Sequence, residues 1–418
     1  MVEKSQNYTV RVLRWSEKYF KTDMVYLASG GFWLLFGQVG ALVFSLGLAI
    51  IFGHYAAQDT YGNYKYIISL SSLLGIFSLS GLSTAVTRSA ARGDEGALRQ
   101  GFALNIRYGA GIVVSGLIAS AYYFYTGNTF AAVGLALAAV TLPFINGFSL
   151  YDSFLTGLKE FRLDALYSLG SLAFTTIALG ITLLFFSQRA IILVAVYFIT
   201  NLASDALWYM LSNRRVRNTK NDPEMLTYGF HLSLMSVIGA IADKIDSIVI
   251  FSFLGPVQLA VYSFAIAIPE QIKAVVKNIV PLSMPKFAQR SIADIKETIW
   301  GRVLLLGIAI TATVAVYILI APFLFRYLFP VYLDSVTYSQ FYALSLIMSF
   351  ITPLSSVFQA HKKTKELYIF SNVPAVIIII SLPILTYMYG IAGAVGSQIL
   401  YRMATAATAL FLFWRMED

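Results

Sequence analysis

Apolar residues fill this chain in long blocks, punctuated by glycine, proline or a few charges. A helix that spans a bilayer needs roughly 20 mainly apolar residues. Twelve blocks reach that length, at 26–52, 64–86, 102–124, 130–157, 164–186, 190–211, 228–253, 259–284, 300–324, 336–358, 367–388 and 391–414. The longest hydrophilic stretches, 87–100, 212–227 and 285–299, leave no room for a soluble domain. The pattern predicts an all-α polytopic membrane protein whose function resides among its helices.

Composition agrees. Of 418 residues, 58% are apolar and 12% charged, against about 45–50% and about 25% in a soluble domain. Mean hydropathy is +0.72. There is no cysteine, and the three histidines (His54, His231, His361) are scattered. Thiolate catalysis, disulfides and zinc hydrolysis therefore lack their residues. No metal or cofactor is expected, and no catalytic residue is nominated.

The net charge of +9 reads as a topology signal, not as a nucleic-acid surface. Twenty-two of the 30 Lys and Arg fall in the N-terminal segment and alternate loops, against three (Lys65, Arg189, Arg326) on the opposite side. That bias predicts both termini in the cytoplasm, with the chain in the cytoplasmic membrane. Residues 1–25 form a separate amphipathic segment. In it Tyr8, Val12, Trp15 and Tyr19 make one stripe beside Arg11, Arg14, Lys18 and Lys21, which suits a membrane surface or a partner helix.

An internal repeat divides the rest. Tyr55–Tyr66 (YAAQDTYGNYKY) and Phe253–Phe264 (FLGPVQLAVYSF) align with Tyr64 on Tyr262, an offset that also lays the first span on the seventh. Two six-helix bundles are predicted, 26–211 and 228–418, joined by a cytoplasmic linker at 212–227. Bundles related by an axis along the membrane normal commonly enclose a central cavity.

Ten ionisable side chains fall within spans: Arg107, Asp152, Asp205, Asp243, Lys244, Asp246, Glu270, Lys273, Lys277 and Arg402. Facing lipid, they would together cost roughly 25–35 kcal/mol, at about 2.5–3.5 each. They must pair or face water. Glu270, Lys273 and Lys277 share a helix face, as do Asn201, Asp205 and Trp208, and Gln398 and Arg402. Asp243 and Asp246 align with Gly239. Glu270–Lys273 is also placed to form a purely structural ion pair.

The segment ADKIDSIVIFSFLGPVQLAVYSFA (Ala242–Ala265) resembles the mid-chain signature of bacterial polysaccharide flippases, as YGNYKYIISLSSLLGIFSLSGLSTAVTRSAA (Tyr61–Ala91) resembles their second helix and basic loop. The resemblance is to the Wzx-like O-antigen flippases of the multidrug/oligosaccharidyl-lipid/polysaccharide (MOP) exporter superfamily. It implies two bundles of the multidrug-exporter (MATE-like) type. It also implies transport of undecaprenyl-pyrophosphate-linked oligosaccharide between leaflets, alongside a polysaccharide polymerase. Such a substrate needs cations for the pyrophosphate, for which Arg107, Lys273, Lys277 and Arg402 are the candidates. It needs amides and aromatics for the glycan: Asn201, Gln398, Tyr401 and Trp208. Asp205, Asp243 and Asp246 are candidates for a coupling H⁺ or Na⁺. Two alternatives stay open, a multidrug-type cation antiporter and a membrane glycan polymerase or ligase.

Overall fold

The computed structural model describes residues 24–186, 189–279, 287, 290–361 and 363–416, with side chains from residue 31 onward and not over 275–279. The amphipathic segment before Met24 and the side chain of Lys277 lie outside the described residues.

Every regular element among the described residues is helical. Lipid dictates this: with no water to satisfy the backbone, a segment must bond its own N–H and C=O groups. In chain order the helices are α1 (Met24–Tyr55), α2 (Gln58–Leu74), α3 (Leu82–Ala91), α4 (Ala97–Tyr108), α5 (Ala110–Tyr125), α6 (Thr129–Phe148), α7 (Leu150–Gly157) and α8 (Phe161–Phe186). They continue with α9 (Ala190–Asn213), α10 (Met225–Ala242), α11 (Ile245–Leu254), α12 (Pro256–Ile279), α13 (Ile292–Leu328), α14 (Ser335–Ser345), α15 (Pro353–Ala360) and α16 (Thr364–Arg415).

Among the described residues eight helical segments are long and apolar enough to cross a membrane, or nine when α2 and α3, bent by 63°, count as one. One of the eight, α16, is itself two helices meeting at Gly390, whose φ of 58° and ψ of −137° break the helix. The predicted spans 228–253 and 259–284 fall on α10–α11 and α12. Helix ends differ most where charge misled the reading. The helix predicted from 300 begins at Ile292, and Lys65, assigned to an outer turn, lies two turns inside α2.

One predicted alignment holds only in part. The span over 228–253 is broken at Asp243–Lys244, between α10 and α11. Asp243 still sits one turn after Gly239, its N–H donating to the Gly239 carbonyl at 2.9 Å, but Asp246 lies beyond the break and leaves that face. At the next junction Gly255 takes φ 86°, a left-handed turn open to glycine. Pro256 then opens α12, where a missing N–H costs nothing.

Helices of the first half pack α1 on α8, α5 on α6, and α9 on both α6 and α8; in the second half α12 and α16 pack on α14. The halves meet where α2 touches α12 and where α3 touches α10. At the first contact an aromatic plug forms around Phe264, whose ring lies 4.8 Å from Tyr61, 5.0 Å from Phe329 and 3.8 Å from Tyr332. Phe52 stacks on Tyr64 at 5.1 Å behind it, and Gln58 Nε2 donates to the Val331 carbonyl at 2.8 Å.

The segment after α9 is bound to the ends of α3 and α4. Lys220 pairs with Asp94 at 2.9 Å and Arg88 with Glu224 at 3.2 Å. The Ser89 hydroxyl donates to buried Asp222 at 2.6 Å. Burial pushes the Asp222 carboxyl up, but Ser89, the Glu224 N–H and the charges of Arg88 and Arg92 outweigh it and hold the group below its usual range. A depressed carboxylate stabilises the fold above its unfolded pKa, near 3.9, and that contribution is lost as pH falls through the folded value. Amide exchange over 214–224 is thus expected to stay slow at pH 7 and accelerate only below about pH 4. Asp222→Ala should show fast exchange already at pH 7.

Candidate functional site

A cavity of about 1130 Å³ lies between the first-half helices and α10, larger than a typical drug-sized site of about 300–1,000 Å³. Helical periodicity builds its walls. On α8 the residues Asp164, Ser168, Ser171 and Thr175 recur at i, i+4, i+7 and i+11, one continuous polar stripe. Ser233, Ser236 and Asp243 line it from α10, and Tyr197 and Asn201 from α9. On α1 Gly37 and Ala41 hold the wall back with small side chains, and Trp33 adds an aromatic ring. The junction of α6 and α7 adds Asn146, Ser149 and Asp152.

Hydrogen bonds fix several of these groups. Thr156 donates to Asp164 at 3.1 Å, and Asn201 Nδ2 to the Tyr197 carbonyl at 2.7 Å. The Ser80 and Ser236 hydroxyls meet at 3.0 Å where α3 approaches α10. The charged lining is acidic (Asp152, Asp164 and Asp243), and no Lys or Arg lines this cavity among the described residues. On α1 Phe32, Leu34 and Leu35 are exposed, and the Arg162 guanidinium sits 5.5 Å from the Trp33 ring.

The predicted cations are placed differently. Lys273 Nζ contacts Glu270 at 2.8 Å and Arg402 Nη2 contacts the same carboxylate at 3.0 Å. Tyr342 donates its hydroxyl to Glu270. Arg402 donates to the Tyr342 oxygen at 2.9 Å and lies over that ring at 5.1 Å. Arg402 is buried, whereas the Lys273 side chain is 42% exposed. Two bases on one acid leave the cluster one positive charge in excess. Arg107 does not join it; this residue is exposed beside a second, smaller cavity.

Of the predicted glycan contacts, Asn201 reaches the main cavity. Trp208 instead stacks on Tyr167 at 4.5 Å. Gln398 is buried and bonds Tyr262, and Tyr401 lies beside Asp243 and Arg402. The three predicted coupling acids also separate. Asp243 faces the cavity, Asp205 is buried beside Ser171 at 3.4 Å, and Asp246 is buried under Tyr262, whose hydroxyl donates to it at 3.0 Å. Lys65 lies within electrostatic reach of Asp246. The hydroxyl stripes on α8 and α10 carry no charge to mark them in the sequence; Ser and Thr at helical spacing are their signal.

Residues 27–290 match the model of a family described as polysaccharide biosynthesis protein. The chain belongs to that family. No curated protein matches it. Its fold resembles the lipid II flippase MurJ in an inward closed conformation (TM-score 0.65, 15% identity, 92% of this chain and 87% of that one). It also resembles an inward-facing multidrug resistance MATE transporter of the MOP superfamily (0.64, 16%, 90% and 94%). A MOP superfamily transporter from Pyrococcus furiosus Vc1 (DSM3638), described as having a binding pocket of reverse polarity, matches at 0.62 with 15% identity over 93% and 94%. These likenesses show a helical fold shared with those proteins, and the match over residues 27–290 shows the polysaccharide biosynthesis family.

Proposed function

We propose that this protein carries a polyprenyl-pyrophosphate-linked oligosaccharide from the inner to the outer leaflet of the cytoplasmic membrane by alternating access. The observation that supports this most is the large cavity walled by hydroxyls and amides in a chain of the polysaccharide family. Hydroxyls and amides can replace the water that a glycan must shed in crossing hydrocarbon. In this reading twelve helices form two bundles, 26–211 and 228–418, both termini are cytoplasmic, and the aromatic plug seals the outer end. The glycan occupies the cavity, and the polyprenyl tail lies against the exposed apolar face of α1. The pyrophosphate is held by the excess positive charge at Lys273, with Lys277 on the same helix face. Arg402, locked on Glu270 and Tyr342, positions that charge. Asp243 is the best placed of the three acids to bind a coupling H⁺ or Na⁺, since it meets the cavity. The role is transport without catalysis, feeding a polymerase on the outer face.

The acidic lining supports a second reading, a cation antiporter, because Asp152, Asp164 and Asp243 suit a lipophilic cation. Binding to the purified full chain separates the two. Undecaprenyl-pyrophosphate oligosaccharide is expected to bind the wild type, and Lys273→Gln about tenfold more weakly, the loss of one charge-assisted contact. Asp243→Asn should leave that binding within about twofold. Tight binding of a lipophilic cation that requires Asp243, with none of the glycolipid, would favour the antiporter.

A further inference from the structure

A second cavity, of about 490 Å³, lies between α4 and the segment after α9. Helical spacing sets its floor: Arg99, Ala103 and Arg107 recur every four residues on α4, while Leu98, Gly101 and Asn105 on the other face are buried. Val216, Thr219 and Asn221 close it from the opposite side. Its two ionisable lining residues are both arginines, and no carboxylate lines it among the described residues.

Both arginines keep donors free for a ligand. Arg99 spends its Nε on Asn213 Oδ1 at 2.7 Å, which holds the side chain while leaving the guanidinium Nη groups available. Arg107 has no hydrogen-bond or ion-pair partner among the described residues. Eight residues of helix separate them by about 12 Å, a gap that two extended arginine side chains can close on one phosphate group. Thr219 and Asn221 add a hydroxyl and an amide to the rim.

Depth in the membrane names the class of ligand. The α4–α5 rod ends at Tyr125, which is 92% exposed. Counting back a hydrocarbon thickness of about 30 Å, roughly 20 residues, reaches Asn105. Arg107 therefore sits at the edge of the hydrocarbon and Arg99 above it, and exposed Tyr108 is the aromatic expected at that level. The cavity straddles the headgroup layer. Exposed Arg214, Arg215 and Arg217 flank it on the same segment.

We propose that this cavity binds the phosphate of an anionic phospholipid in the leaflet on the linker side. A basic pocket at headgroup depth is suited to this chemistry, and the bound lipid would tie α4 to the segment that joins the two halves of the chain. The site is distinct from the transport cavity, since the two share no lining residue.

Titration of dioleoyl-phosphatidylglycerol into the detergent-solubilised full chain, read by native mass spectrometry, tests this. The wild type is expected to retain phosphatidylglycerol in preference to phosphatidylcholine. Arg107→Gln should weaken it about fivefold, the worth of one basic residue at the surface. Arg107→Lys should stay within about twofold, and exposed Arg326→Gln, at the far end of α13, should change nothing. Because Arg107 has no partner to lose, Arg107→Gln should melt like the wild type. Equal retention of phosphatidylcholine, or unchanged binding in Arg107→Gln, overturns the proposal. Displacement of the lipid by equimolar inorganic pyrophosphate also overturns it, and would assign the pocket to a soluble anion.

Discussion

Gly62→Ala is expected to unseat the seal between the two halves and lower export at least tenfold, with normal amounts of protein in the membrane. A Cβ at this position would lie 1.9 Å from the Pro256 carbonyl oxygen and 2.5 Å from its carbon. Both are backbone atoms, so no side chain can rotate away; α2 and α12 must separate. Overpacking of a tight contact costs about 1–3 kcal/mol, and 3 kcal/mol on one of two states shifts their ratio by about a hundredfold. The aromatic plug around Phe264 is carried by the same two helices and should loosen with them. Single cysteines are informative here because the chain has none. A cysteine at Tyr61, buried in the plug, should react slowly with an impermeant thiol reagent in the otherwise native chain and rapidly beside Gly62→Ala. Gly47→Ala is the matched control, since nothing lies within 4 Å of its added Cβ. It should transport like the wild type.

The second large effect is expected at Arg402. Arg402→Ala leaves Lys273 as the one cation on Glu270 among the described residues and removes a donor from the Tyr342 oxygen. Breaking a buried pair by removing one partner costs about 3–5 kcal/mol. Glu270 is 32% exposed, which brings the expected loss below that range, to about 2–3 kcal/mol after screening. Arg402→Lys should recover little, because one ammonium cannot bond Glu270 and Tyr342 and also lie flat over the ring. The double variant Glu270→Gln/Arg402→Met removes the pair together and should regain most of the lost thermal midpoint. If Arg402→Ala keeps full stability and loses only glycolipid binding, Arg402 is a direct ligand and not a positioning residue.

These outcomes also mark how far the sequence could be read. Helices were legible because a lipid-spanning segment must be long and apolar, whereas the packing of the helices that carry Tyr64 and Tyr262 was seen only in the structure. Glu270 and Lys273 were legible as neighbours, one helical turn apart. Their joint contact with Arg402 was not, since 132 residues of chain separate Arg402 from Glu270. The break at Asp243–Lys244 defeated a continuous-helix reading and sent two acids to different environments. A charge beside a helix boundary reads as loop in the sequence, yet Lys65 lies inside α2. The cavity itself was hidden in serines and threonines, which bond back to helix carbonyls, as Ser233 does to Gly229, and so barely disturb an apolar pattern.

Flipping by the purified full chain in liposomes tests the central claim most directly. The vesicles carry fluorescent undecaprenyl-pyrophosphate oligosaccharide in both leaflets, and a membrane-impermeant glycan-modifying reagent is added outside. The account predicts that wild-type protein exposes the inner-leaflet pool, and that Lys273→Gln does so at least tenfold more slowly. Wild-type vesicles that keep the inner pool fully protected while exchanging a lipophilic cation for protons would contradict it.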